Sequence, residues 1–267
     1  MKPKFTLVLA AILCFGLQFS KAQITIKTDS KSDSSANKSR TEIDINVGKD
    51  DKDDIKKVHY PRTFGGITFS RIDWGFSRLV DNGSFTLSEE NKSLDYKKAS
   101  NFGFDVAQFG VRFSDVFKVY ASAGFEWNYL RLENDVLLRK DVTPLEFEDL
   151  DPSSNYKKNV FTSTYLRLPL TFELRSHKLS NGKRLKFAFG AMTGVLLKGT
   201  QRLKSEEFGK QKYKDTYNLT TFQYGGFARI GYDNFGLFTK YYMNDMFEKS
   251  PAQDGLRNLT FGITLGF

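Results

Sequence analysis

Arg257-Asn258-Leu259-Thr260-Phe261-Gly262-Ile263-Thr264-Leu265-Gly266-Phe267 closes the chain and decides its fold. Leu259, Phe261, Ile263, Leu265 and Phe267 alternate with Asn258, Thr260, Gly262, Thr264 and Gly266. A period of two puts every large apolar side chain on one face of a strand and the small or polar ones on the other. A soluble sheet turns its large residues inward, whereas a membrane barrel turns them outward to lipid. The stretch reads as the closing strand of an outer-membrane β-barrel. It must then pair with the first strand, near Ile72 and Trp74, to leave no open edge.

The same period recurs upstream. Strands are expected at Gly66–Ser77, Asn101–Phe113, Lys118–Leu132, Val160–Arg175, Leu185–Lys198, Leu219–Tyr232 and Phe235–Asn244, eight with the last. Each is near the ~9–11 residues of a tilted spanning strand. Phase slips predict bulges near Ser70 and in the later half of the second strand. Pro169 has no N–H for the ladder, so an irregularity is expected there. Long connections (78–100, 133–159, 199–218, 245–255) alternate with short ones (114–117, 176–184, 233–234). Long loops outside and short turns in the periplasm form one consistent topology. The expected fold is all-β: an eight-stranded antiparallel transmembrane up-and-down β-barrel over residues 61–267, behind a disordered N-terminal periplasmic lead. A soluble lipocalin-like sheet would have to bury the Leu-rich faces and expose Arg167, Glu173 and Arg175.

The start of the chain agrees. Met1-Lys2-Pro3-Lys4 is basic, Phe5 to Phe19 is apolar, and Ser20-Lys21-Ala22 supplies small residues at a cleavage site. Residues 1–22 therefore read as a signal peptide cut before Gln23. The apolar run is shorter than the ~20 residues of a spanning helix. Cys14 is the only cysteine and lies inside the signal, with Leu13 where a lipoprotein needs a small residue. Residues 23–60 are polar and expected to be largely disordered, although Ile24, Ile26, Ile43, Ile45 and Val47 alternate weakly enough to form short strands. Asp50, Asp51, Asp53 and Asp54 are interleaved with lysines and lack calcium-loop spacing.

Composition fits the barrel. Mean hydropathy is −0.43 in 267 residues, too polar for a helical membrane protein but ordinary where only alternate residues face lipid. Aromatics make up 15%. Two girdles are expected. One holds Trp74, Phe76, Phe102, Trp127 and Tyr129; the other holds Phe113, Phe172, Phe187, Tyr232, Phe235 and Phe267. Trp74 and Trp127 also suit a carbohydrate platform. The formal charge of +9 falls to +6 once Lys2, Lys4 and Lys21 leave. With a signal peptide ahead of it, that balance suits outer-membrane lipids and lipopolysaccharide phosphates, or loop solubility, rather than nucleic acid.

Inside the barrel, Arg71, Asp73, Glu126, Arg167, Glu173, Arg175, Lys186, Arg229 and Lys240 are expected to meet. Eight strands leave room only for side chains, so these charges should pair and fill the lumen rather than line a channel. No catalytic, cofactor-binding or metal site is expected. His59 and His177 lie apart, and neither a phosphate loop nor a Cys/His metal spacing is present. The activities weighed are a closed structural or surface-interaction barrel with an unknown extracellular or periplasmic ligand, a narrow pore or transport accessory, and a surface lipid-modifying enzyme.

These residues resemble the porin-like outer-membrane β-barrel proteins common in Bacteroidetes. The resemblance rests on Ala22-Gln23, on Lys49-Asp50-Asp51-Lys52-Asp53-Asp54, on Tyr165-Leu166-Arg167-Leu168-Pro169-Leu170 and on Phe261 to Phe267. It implies a fold and a place in the outer membrane of a Gram-negative cell, and no particular chemistry. By resemblance to outer-membrane barrels generally, Phe267 is expected to be the signal read by the barrel-assembly machinery.

Overall fold

The computed structural model describes residues 22–26, 43–47, 60–68, 71–133 and 135–266. Residues 1–21 of the signal peptide with Cys14, most of the lead with His59, Ser70 and Phe267 therefore lie outside the described residues. Fourteen strands are described. They are β1 (Ala22–Ile26), β2 (Ile43–Val47), β3 (Arg62–Ile67), β4 (Ile72–Asp81), β5 (Tyr96–Arg112), β6 (Phe117–Leu132), β7 (Val136–Leu138), β8 (Phe147–Asp149), β9 (Tyr156–Arg175), β10 (Leu185–Ser205), β11 (Lys210–Asp215), β12 (Phe222–Tyr232), β13 (Phe235–Tyr242) and β14 (Leu256–Leu265).

Eight of them close a barrel in the order β4-β5-β6-β9-β10-β12-β13-β14, every neighbour antiparallel. β14 returns to β4 with Leu265 opposite Ile72 and Ile263 opposite Trp74, as the sequence requires. The weakly alternating segments of the lead, β1 and β2, pair with each other in a separate two-stranded sheet.

The irregularities follow the chemistry. β3 and β4 both pair with β5, β3 along 107–112 and β4 along 100–104, so the first strand is broken where its phase slips. A bulge in β5 falls between Asp105 and Ala107. Opposite Pro169 the ladder to β6 is interrupted between Ala121–Leu170 and Gly124–Arg167.

Outward rows meet lipid and inward rows fill the lumen. On β14, Asn258, Thr260 and Thr264 are buried while Phe261 is half exposed. From Val119 to Tyr129 the outward row of β6 covers ten residue steps. At about 3.3 Å each and a tilt of about 40°, it rises ~25 Å, the height of a lipid-facing band. The tilt is visible in the register. Leu265, Ile72, Phe104, Phe125, Leu166, Val195 and Phe222 are successive direct partners. That row starts at the short-turn end of β14 and finishes at the long-loop end of β12.

Several strands outrun the expected bounds. β5 begins at Tyr96, β9 begins at Tyr156 and β10 continues to Ser205. In these extensions the pattern inverts. Inward residues become apolar at Leu79, Ala99, Leu130, Phe161, Leu203 and Leu256, all buried. Outward residues become basic at Lys98, Arg131, Lys158 and Arg202. Beyond the membrane the sheet obeys the rule for water, which is hydrophobic in and polar out.

Candidate functional site

The lumen is layered along its axis, and charge occupies the middle. Arg167 on β9 donates from Nη1 to Asp73 Oδ2 at 2.8 Å and from Nε to Asp105 Oδ1 at 2.9 Å. Its guanidinium also lies 3.5 Å from Glu126. Arg229 reaches Asp73 at 2.9 Å, and Lys240 lies 3.0 Å from both Asp73 and Glu126. Tyr242 donates to Glu126, and Arg71 donates to Asp105 at 3.0 Å. The charged members come from β4, β5, β6, β9, β12 and β13, with Arg71 immediately before β4, so the network crosses the lumen rather than following one wall. Its carboxylates are fully buried. An ion taken out of water persists only when opposite charge and hydrogen bonds replace the solvent.

Gly103 makes the crossing possible. A Cβ placed there would lie 2.6 Å from Arg167 Nη1, inside contact distance. The glycine is the notch into which the guanidinium fits.

A second cluster lies toward the short turns. Lys118 sits 3.0 Å and Arg175 2.6 Å from Glu173, and Tyr120 donates to the same carboxylate at 3.1 Å. The Tyr120 ring also has Lys118 4.5 Å and Arg71 4.9 Å from its centroid, both within cation–π range.

Toward the long loops an amide layer follows. Asn101 donates to Asn128 at 2.7 Å and Asn258 to Asn128 at 3.3 Å. Beside it a small cavity lined by Tyr165, Gln223 and Tyr242, among others, has room for roughly one water.

Above that layer the long loops fold together. Leu94, Leu138, Leu145, Phe161, Leu219, Phe247 and Leu256 form part of one buried apolar cluster. Phe161 and Tyr217 meet edge-to-face at 5.4 Å. The Tyr217 hydroxyl is pushed to a raised pKa, first by burial and then by Asp215. Gln201, fully buried, pins the cap. It accepts from Leu138 N–H at 2.9 Å and donates to the Val136 carbonyl at 2.8 Å and to Asn159 at 2.9 Å.

Of the expected charges, Arg71, Asp73, Glu126, Arg167, Arg229 and Lys240 share the central network, while Glu173 and Arg175 belong to the cluster below it. Lys186 donates instead to the Asp233 carbonyl at the rim, at 2.8 Å. Asp105 and Lys118 complete the pairing and were not among the expected members. Asp105 continues the inward series Asn101, Gly103, Asp105, and Lys118 opens the inward series of β6, so the period of two held the signal for both.

The girdle residues Trp74, Phe76, Trp127, Tyr129, Phe172, Phe187 and Tyr232 all face outward. Two sharp belts are not what they form. Trp74, Phe102 and Trp127 are successive register partners, and strand tilt carries that row down from Trp127 to Trp74. Trp74 thus lies about 6 Å deeper than Trp127, toward mid-band. Phe104 and Phe125, 5.9 Å apart, fill the space between the expected belts. His177 is exposed in the 176–184 connection. Among the described residues no His/Cys/Asp/Glu group is arranged to hold a metal ion.

The family comparison agrees with this architecture. Residues 62–246 match the outer membrane protein beta-barrel domain. The chain belongs to this family. The match begins with β3 and stops before β14, so the strand that closes the barrel stands on register and burial alone. No curated protein matches the chain. Membership places the barrel in an outer membrane.

Proposed function

We propose that this outer-membrane barrel is closed to solutes and non-enzymatic, and that it serves envelope structure or surface contact through the cap made by its long loops. Arg167 is the observation that carries this reading. Its guanidinium joins Asp73, Asp105 and Glu126, carboxylates on three other strands, across an eight-stranded lumen. Such a lumen is only wide enough for side chains to fill. The apolar cap adds a second barrier above the ionic one. Conduction would require both layers to part.

Single-channel recording of the full chain in planar bilayers tests this. Bilayers that stay silent while the inserted barrel is verified as folded are the expected result. A stable, reproducible open conductance would sink the closed reading and install the narrow pore in its place.

A further inference from the structure

The inverted pattern above the membrane leaves cations on the outer face of the extended strands. Lys98, Arg131, Val160, Arg202 and Lys212 are successive register partners on β5, β6, β9, β10 and β11. One pleat further along, Lys158 pairs with Lys204 and Lys204 with Lys210. Direct partners share a face, so these side chains form one patch. Among the described residues none of these cations stands within ion-pair distance of a carboxylate. Glu206, at the adjoining tip, is engaged by Lys157 at 2.5 Å. The crowding has an electrostatic mark: Lys214, Arg202 and Lys198 together hold the Lys212 ammonium below its ordinary pKa, Lys214 most and burial contributing. Like charges placed together on a folded sheet call for an anion that lies between them.

Height selects the anion. Arg131 lies two residues beyond Tyr129, so the patch begins about one pleat, ~7 Å along the strand, past the lipid-facing rows. Register rows climb from β5 toward β10, as the row from Leu265 to Phe222 does. Four strand spacings of about 4.8 Å at about 40° of tilt lift Lys212 ~12 Å above Lys98. A phospholipid headgroup layer is only about 5–7 Å deep. Soluble polyanions have no reason to start at the membrane interface. A glycolipid with phosphates at more than one height matches both the starting level and the climb.

We propose that the outer face of β5, β6, β9, β10 and β11 binds the phosphates of a phosphorylated glycolipid in the surrounding leaflet. Lys98 and Arg131 would meet the headgroup and Arg202 and Lys212 the phosphorylated sugars above it. Guanidinium and ammonium groups are the ordinary phosphate donors. The proposal rests on the reading that the long loops face outward.

The test uses the full chain folded in neutral detergent and titrated with phosphorylated rough-type lipopolysaccharide. Parallel titrations use the same material dephosphorylated, phosphatidylglycerol, and heparin as a soluble polyanion. Saturable binding to the phosphorylated glycolipid is expected. The triple replacement Arg131→Gln, Arg202→Gln, Lys212→Gln should weaken it about a hundredfold, near fivefold per charge. Lys178→Gln with Lys183→Gln, at the short-turn end, should leave it unchanged. Heat-shifted mobility on gels certifies that each variant is folded. Equal binding by the dephosphorylated material or by the triple variant overturns the proposal. So does phosphatidylglycerol binding as tightly with Lys212 irrelevant, or heparin competing fully. A separate readout, labelling of Lys212→Cys by an impermeant maleimide on intact cells, reports loop orientation. Labelling supports an outward patch; labelling only after lysis overturns the outward reading without touching the phosphate chemistry.

Discussion

Arg167 and Asp73 hold each other across the barrel at 2.8 Å, although their strands, β9 and β4, are separated in the sheet by β5 and β6. No ladder hydrogen bond joins those strands directly. The ion pair is a strut across the lumen, and it braces the barrel against flattening in a way that wall pairing cannot.

Arg167→Met should therefore destabilise the barrel far more than loss of a surface pair. It strands buried carboxylates, and breaking a buried pair from one side costs about 3–5 kcal/mol. Arg71, Arg229 and Lys240 remain to share the charge, so the lower end of that range is expected. Arg139→Met breaks the half-exposed pair with Glu146 and should cost less than about 1 kcal/mol. Denaturant unfolding in detergent reads both. Equal midpoints for the two variants would mean that the central network does not hold the wall.

Gly103→Ala probes the same strut from its notch. The added methyl meets Arg167 Nη1 at 2.6 Å, so the guanidinium must leave its carboxylates or β5 must shift. Overpacking of this kind costs about 1–3 kcal/mol. In the Arg167→Met background the added cost should largely disappear, because contacting residues are not additive. A double-mutant cycle measures the difference, and strict additivity would show that Gly103 answers to the β-sheet rather than to Arg167.

The wall was legible in the sequence because lipid and lumen impose a period of two on every strand. Leu259 to Leu265 and Leu166 to Leu174 needed no partner to be read. The lumen charges were legible as a set and not as pairs. Alternation says that Asp105 and Lys118 point inward; only barrel closure says that Asp105 meets Arg71 and Arg167. The cap was missed for another reason. Leu79, Leu130, Phe161 and Leu256 continue the same inward rows, but there the inward class changes from polar to apolar. Taken strand by strand, that change looks like the end of a strand. Aligned by register it is one level, where the sheet leaves the membrane and starts obeying water.

At the short-turn end, Asp115 gives a pH prediction. Its pKa is lowered, chiefly by the hydrogen bond from Arg184, 2.7 Å away. A carboxylate depressed in the folded state adds stability that is present above its unfolded pKa, about 3.9. That stability is lost as pH falls through the lower folded value. Asp115 is half exposed, so solvent keeps the effect below about 1 kcal/mol. NMR titration of the Asp115 carboxyl in micelles should give a midpoint below 3.9 that rises toward it in Arg184→Gln. A midpoint indifferent to Arg184 would refute the attribution.

Gln201 tests whether the cap is a folded unit or a set of loops that merely lie together. Its amide serves the β7 backbone on both sides, accepting from Leu138 N–H and donating to the Val136 carbonyl. In Gln201→Leu the Leu138 N–H stays buried without that acceptor, at about 1–3 kcal/mol, while the Val136 carbonyl keeps the hydrogen bond from Asn159 at 2.8 Å. The barrel beneath depends on its own ladder and on Arg167, so the cost should fall locally. Trypsin should cut at Arg139 or Lys140 many times faster than in the parent, while the heat-shifted gel mobility of the intact barrel is unchanged. If β7 and β8 were held only by apolar burial, Leu at position 201 would be neutral or stabilising and the cleavage rate would not rise. If the cap instead braced the wall, loss of Gln201 would lower the unfolding midpoint as much as loss of Arg167 does.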